Sequence, residues 1–307
     1  MKKENILSIV LLIAGVFFSQ AVFAQGISVG LSPLSFELTG NQGDIIENYV
    51  KIGNPDKDNV VTIKMVVEDI APTGEQGHVT VEPADTQSYS LASWIKCEPE
   101  EFTLQPGAQQ TVKFTITVPN NAEPGGHYGT VVAGATAVAG PATTGATIVP
   151  RVGTLILLTV PGEAKESLSI KEFSVDRDYF DQGPVSFTVK FENSGTVHLK
   201  PTASITIADL WGRKVKEIPL TQKNVLPGGV RTFEAVWNQK WLLGGKYVAT
   251  LSGTYGRKNI SLTSEVITFW AFPWKVALGI LLALIFFILT RKRWLTAFKV
   301  LLKGEKK

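Results

Sequence analysis

The chain has 307 residues, with 30 Lys and Arg against 27 Asp and Glu, three His and a single Cys. That one cysteine, Cys97, excludes an intramolecular disulfide, a CxxC redox pair and a cysteine zinc cluster. The net charge of +3 averages over compartments: residues 25–273 carry 20 basic and 25 acidic side chains, a net of −5, which offers no basic face for nucleic acid.

Residues 1–24 read as a signal peptide. Lys2 and Lys3 precede an apolar run, Ile6 to Phe18, and Val22 and Ala24 stand at the −3 and −1 positions of a cleavage site after Ala24. "GISVG", Gly26 to Gly30, matches a nucleophile-elbow pattern. The elbow needs its serine on a strand-to-helix turn within an α/β sheet. Ser28 has no strand before it, so catalysis there is not expected.

From there to residue 268 the pattern is period two, the mark of half-buried strands. Val61, Ile63, Met65 and Val67 alternate with polar neighbours, as do Val112, Phe114, Ile116 and Val118, and Phe187, Val189 and Phe191. Helical periodicity is missing apart from a turn at "SLASWI". Landmarks recur in the same order in both halves. "VKIGNP", "LQPGAQQTVKFTI" and "PGGHYGTVVAG" answer to "VKFENS", "VLPGGVRTFEAV" and "LGGKYVATLSG". The repeat predicts an all-β fold: two tandem immunoglobulin-like β-sandwich domains, residues 25–163 and 164–268.

On this alignment His127 answers to Lys246 and is expected in solvent. Tyr128 and Tyr247 are expected to point inward. His198 shares the parity of Lys200, Thr202 and Ser204, opposite to Leu199, Ala203, Ile205 and Ile207, so it is expected on the wet face of a strand. The first domain is longer by about 18 residues between its Asn and Pro-Gly landmarks. The surplus, around residues 70–97, holds His78, Tyr89 and Trp94. It is a candidate partner-binding connection, or an extra edge hairpin with no ligand. "TAVAGPATTGATIVPR" followed by "RVGTLILLTVPG" reads as a hairpin with a loose loop closing the first domain.

Residues 269–290 are expected to form a transmembrane helix. Val276 to Thr290 is free of charge, Trp270 and Trp274 form an aromatic belt, and Lys275 can snorkel to the headgroups. Arg291, Lys292 and Arg293 stop the run and place the tail, residues 291–307, in the cytoplasm. The β domains then lie outside, extracellular or periplasmic, in a single-pass bacterial membrane protein. Trp294, Leu295, Phe298, Leu301 and Leu302 suggest a short helix lying on the inner face.

Enzyme chemistry has little to stand on. There is no H-x-x-H, HExxH or calcium-loop pattern. Asp176, Asp178 and Asp181 are a lesser candidate for calcium. No cofactor or resident metal is implied.

The order of signal peptide, two β domains with "SPLSFEL", "FTLQPGAQQTVKFTITVP", "PRVGTLILLTV" and "GGKYVATL", a span and a basic tail resembles the WxL-interacting proteins of bacterial surfaces. It equally resembles a broader group of bacterial membrane-anchored proteins with immunoglobulin-like domains. The first resemblance implies a first domain that contacts peptidoglycan and a second that contacts WxL-type surface proteins. The expected function is therefore a non-enzymatic, membrane-anchored surface protein binding cell-wall polymer or another surface protein. The alternatives are a membrane-tethered chaperone or assembly factor for exported subunits, and a surface hydrolase. An exposed edge strand able to capture a partner strand would favour the chaperone.

Overall fold

The computed structural model describes residues 28–84, 89–137 and 149–303, with side chains up to Arg291 in the last helix. The expected signal peptide, residues 138–148 and the side chains of Lys292 and Arg293 lie outside the described residues.

The first sandwich comprises β1 (Gly30–Ser32), β2 (Ser35–Thr39), β3 (Ile45–Gly53), β4 (Val61–Thr73), β5 (His78–Glu82), β6 (Ile95–Glu98), β7 (Glu101–Leu104), β8 (Gln109–Thr117), β9 (Gly125–Ala137) and β10 (Arg151–Val160). One sheet runs β1-β3-β8-β6 and the other β2-β10-β9-β4-β5, with β7 also on β4. The second sandwich comprises β11 (Leu168–Val175), β12 (Tyr179–Phe180), β13 (Val185–Asn193), β14 (Thr202–Ala208), β15 (Lys214–Pro219), β16 (Val230–Trp237), β17 (Gly245–Tyr255), β18 (Ile260–Ser261) and β19 (Glu265–Ala271). Its sheets run β11-β13-β16 and β12-β19-β17-β14-β15, with β18 on β17.

Both sandwiches are immunoglobulin-like and share one device. The first strand splits between the sheets: β1 pairs β3 while β2 runs parallel to β10. Likewise β11 pairs β13 while β12 runs parallel to β19. Each has its own core. In β13, Val185, Phe187, Val189 and Phe191 all face inward and are buried, as period two requires of a strand covered on one face.

The repeated asparagines are structural twins. Asn54 Nδ2 donates to the carbonyls of Asn59, Leu104 and Gln105, and its Oδ1 accepts the Asp56 N–H. Asn193 Nδ2 donates to Val197 and Val225, and its Oδ1 accepts the Gly195 N–H. Gly107 and Gly228, both at positive φ, each return an N–H to the carbonyl of their own asparagine. Left-handed backbone at these two turns is why glycine follows proline there.

The GG-x-Y landmarks slip by one residue. Gly125 (φ +139) pairs with Val160, whereas Gly245 (φ +146) pairs with Ala271. His127 therefore occupies the place of Tyr247, and Tyr128 turns to the other face, since a one-residue slip flips every side chain. The expectation of a solvated His127 is corrected. Its ring is buried, packs tilted against Trp94 with centroids 4.4 Å apart, and sets its nitrogens against the carbonyls of Ser90 and Glu123. Tyr247 does point into its core, stacked on Phe269. Tyr128 points out of its own core.

The "SLASWI" turn is a 3-10 turn over Ala92–Trp94, held by Asp69, whose Oδ1 accepts the N–H groups of Leu91 and Ala92. Cys97 faces the first core, and burial pushes its thiol up to about 11.

Helix α1 spans Trp274–Lys303, and its segment Trp274–Arg291 is apolar and long enough to cross a membrane. These 18 residues rise about 27 Å, close to a hydrocarbon core of about 30 Å. The expected start at Phe269 is corrected. Phe269 is fully buried in the second core as part of β19, and its neighbours Val266 and Trp270 face out. Strand alternation and aromatic belt share the same letters there. Beyond Arg291 the backbone continues as one helix to Lys303, not as a separate one.

Candidate functional site: the cleft between the sandwiches

Three sets of contacts join the two sandwiches. At the first, the Tyr128 hydroxyl accepts the His198 N–H at 2.6 Å and lies 3.3 Å from His198 Nδ1. Nearby the Gly126 N–H donates to the Thr196 carbonyl at 2.9 Å. A methyl group at Gly125 would sit 3.0 Å from that same carbonyl, so the close approach needs glycine. Burial pushes the Tyr128 phenol up and His198 down, so both are neutral partners at neutral pH.

The expectation for His198 is also corrected. It lies in the β13–β14 connection and not in a strand, although the alternation through it holds, with Val197, Leu199, Ala203, Ile205 and Ile207 buried. His198 is half-buried under Tyr128 of the first sandwich, while Lys200 and Thr202 of the same parity stay exposed.

At the second contact, Glu37 of β2 receives Lys200 Nζ at 2.8 Å and Asn224 Nδ2 at 2.7 Å. The Lys200 hydrogen bond, ahead of the other influences, holds its carboxyl below the usual carboxylate range. At the third, the tip of the β4–β5 hairpin reaches across. The Glu75 carbonyl accepts the Thr232 N–H at 2.6 Å, and its carboxylate pairs with Lys190 at 2.7 Å. The first part of the surplus segment, as far as Glu82, therefore belongs to a hairpin whose tip braces the second domain.

Between these contacts lies a cavity of about 310 Å³. Ile70, Leu155 and Leu157 wall it on one side and Leu226 on the other. Arg231 of β16 enters it with its guanidinium laid over Gly77, where a methyl group would sit 2.5 Å from the guanidinium carbon. Arg231 Nη1 donates to the Asn224 carbonyl at 2.6 Å, while Nε is buried without a partner. Among the described residues no carboxylate pairs with it. Burial alone holds its pKa below the usual arginine value.

A second hollow of about 270 Å³ continues along the same sheet face. It shares Ile70, Val79 and Leu155 with the first and ends at the Arg151–Glu68 pair. There β2 covers β10 only over Leu155–Thr159. Among the described residues, the edge of β10 at Arg151–Thr154 has no strand on that side.

The three residues singled out from sequence are not brought together. His78 opens β5 and lines the cavity, exposed. Tyr89 backs the seam, its carbonyl accepting the Tyr128 N–H and its ring 6.4 Å from that of Tyr128. Trp94 lies on the other face of the sheet, against His127 and the first core. Trp270, Trp274 and Lys275 stand where the second sandwich meets α1, and Arg291 is exposed on the helix. Sequence reasoning missed Arg231, Glu37, Asn224 and Glu75. No motif marks them, since each acquires its role only across the seam. Among the described residues no three His, Cys, Asp or Glu side chains gather to hold a metal. Of the acidic trio, Asp181 pairs with Lys275 and the Asp178 carbonyl accepts the Trp270 N–H.

No family model and no curated protein matches the chain. Among solved structures, the class 5 fimbriae chaperone CfaA is similar over 80% of this chain and 100% of its own, at 14% identity and a TM-score of 0.40. The Salmonella enterica SafA pilin in complex with the SafB chaperone aligns over 81% and 98%, at 14% identity and 0.38. The CsuC–CsuE chaperone–tip adhesion subunit pre-assembly complex of Acinetobacter baumannii aligns over 80% and 99%, at 12% identity and 0.38.

Proposed function

We propose that the protein is a non-enzymatic, membrane-tethered module that holds a polypeptide segment of an exported protein in its interdomain cleft, in the manner of an assembly factor. The observation that carries this reading is Arg231. A guanidinium stays charged at any physiological pH. Holding it half-buried with a shielded Nε and no acid beside it is costly until an anion arrives. A planar carboxylate fits its donors. The apolar walls around it suit side chains flanking that carboxylate, and the hollow leading to Arg151 gives room for an extended segment. Strand addition at the open edge of β10 would supply backbone hydrogen bonds to the same segment. Among the described residues the cavity lining holds no Phe, Tyr or Trp on which a sugar ring could stack, which favours a peptide over a wall glycan. The orientation follows the positive-inside rule, with the sandwiches outside and the basic tail in the cytoplasm.

The test is a binding titration of the full chain in lipid nanodiscs with extended apolar peptides ending in a free or an amidated carboxyl group. The free carboxylate should bind at least about tenfold more tightly, as a charge-assisted hydrogen bond of about 1.5–3 kcal/mol implies. Arg231→Ala should erase the difference and Arg231→Lys restore part of it. Equal affinity for both peptides, or binding of anionic wall-polymer fragments alone, would refute the reading.

A further inference from the structure

The far end of the second sandwich, away from the cleft, has a different surface. Trp211 is 65% exposed, Trp241 64% and Leu243 72%. They belong to the β14–β15 turn and the β16–β17 connection; the turn packs on the start of β17 and the connection on Pro273, just before α1. A methyl group at Gly245 would sit 2.6 Å from Leu210 of the turn, and one at Gly244 3.6 Å from Pro273. The Gly183 N–H donates to the Lys240 carbonyl at 3.2 Å, and nearby Asp181 pairs with Lys275 at 3.3 Å. The exposed aromatic side chains of this sandwich among the described residues are Tyr179, Trp211, Trp241, Trp270 and Phe272, all at or beside this end. The opposite end presents Arg257, Lys258 and Asn259.

The apolar helix leaves from the same place with no slack. β19 ends at Ala271 and α1 starts at Trp274, three Cα steps that reach at most about 11 Å. Even these residues are tied down: the Phe272 N–H donates to the Phe180 carbonyl at 2.7 Å. Three of the tryptophans at this end, Trp211, Trp241 and Trp274, also carry a cation over the ring. Arg213 lies 4.7 Å from Trp211, Lys240 5.8 Å from Trp241 and Lys275 5.6 Å from Trp274. Arg213 is shared with Asp209, as Lys275 is with Asp181. Amphipathic rings that prefer the headgroup level, beside cations that prefer phosphate, are the composition of a membrane interface. Apolar side chains this exposed otherwise mark a surface awaiting a cover, and the helix brings a bilayer to them.

We propose that this end of the second sandwich docks on the phospholipid surface that α1 enters, with Trp211, Trp241 and Leu243 seated among the headgroups. The sandwich then stands upright as a pedestal. With β17 of 11 residues at about 3.3 Å each, the cleft is held roughly 35 Å above the membrane. The proposal rests on α1 as a spanning helix but not on what the cleft binds.

The test uses the full chain reconstituted in phosphatidylcholine–phosphatidylglycerol vesicles. Environment-sensitive labels are attached one at a time to Leu243→Cys, Trp241→Cys, Lys258→Cys at the opposite end, and Leu282→Cys within α1. Buried Cys97 stays unlabelled in the folded protein. Brominated lipid should quench labels 243 and 241 at least about threefold more than label 258, aqueous iodide should quench 258 more than either, and 282 should be quenched by lipid. Trp211→Ala should weaken the lipid quenching of label 243. Iodide access without lipid quenching at 241 and 243 would overturn the docking while leaving the span intact. Protection from both quenchers there would also overturn it, in favour of a second copy or a protein partner. Absence of lipid quenching at 282 would remove the span and the docking together.

Discussion

Phe269→Ala destabilises the second sandwich by about 3–5 kcal/mol. Phe269 is fully buried at the centre of four rings: Phe180 at 5.6 Å, Phe187 at 5.9 Å, Trp237 at 6.4 Å and Tyr247 at 5.4 Å. Truncation leaves a cavity that rings held by two sheets cannot collapse to fill, and forfeits the edge-to-face contacts as well. With a urea slope of about 2 kcal/mol/M, the midpoint of the second sandwich falls by roughly 2 M. Urea unfolding of the full chain in nanodiscs checks this by tryptophan fluorescence, to which buried Trp237 beside Phe269 contributes. The residue lies only five positions before α1, so the same experiment separates two assignments. Were Phe269 a lipid-facing residue of a span, the sandwich would unfold at an unchanged midpoint.

Asn193→Ala comes next, at about 3 kcal/mol. Its amide donates at 2.8 Å to both the Val197 and Val225 carbonyls and accepts the Gly195 N–H at 2.9 Å. Removing it leaves the Val197 carbonyl without a donor and the Gly195 N–H without an acceptor, while the Val225 carbonyl keeps only the Leu199 N–H; each orphaned group costs about 1–3 kcal/mol. Asn193→Asp should be as damaging, because it keeps the acceptor, loses both donors and turns a carboxylate toward two carbonyls. Asn54→Ala should do the same to the first sandwich. A loss below about 1 kcal/mol at both positions would show that the twin turns are held by their glycines and not by these amides.

The twin turns also explain what could be read from the letters. An Asn after a strand and a Pro-Gly before another are local devices, so Asn54 with Gly107 and Asn193 with Gly228 announce the duplication in any context. The GG-x-Y landmark misleads because two adjacent glycines look alike. Only the ladder reveals that Gly125, first of its pair, matches Gly245, second of its pair. That single slip sends Tyr128 to the seam and His127 into the core. At His198 the alternation was legible but neither its place in the β13–β14 connection nor its interface was, since parity describes one sandwich and says nothing of what the neighbouring sandwich covers. Arg231, Glu37 and Lys200 have the same difficulty. They lie up to 194 positions apart, and their chemistry exists only where the two cores are brought together. The helix was legible in its apolar run, but its start was not, because Val266 to Ala271 alternates as a strand and is aromatic as a membrane belt.

The central claim is that a polypeptide occupies the cleft. Photocrosslinking from position 226, on the cleft wall, in native membranes tests it most directly, with position 258 as the exposed control. The account predicts polypeptide adducts from 226 that are lost with Arg231→Ala and absent from 258. Adducts to glycan alone, or equal labelling from both positions regardless of Arg231, would contradict it.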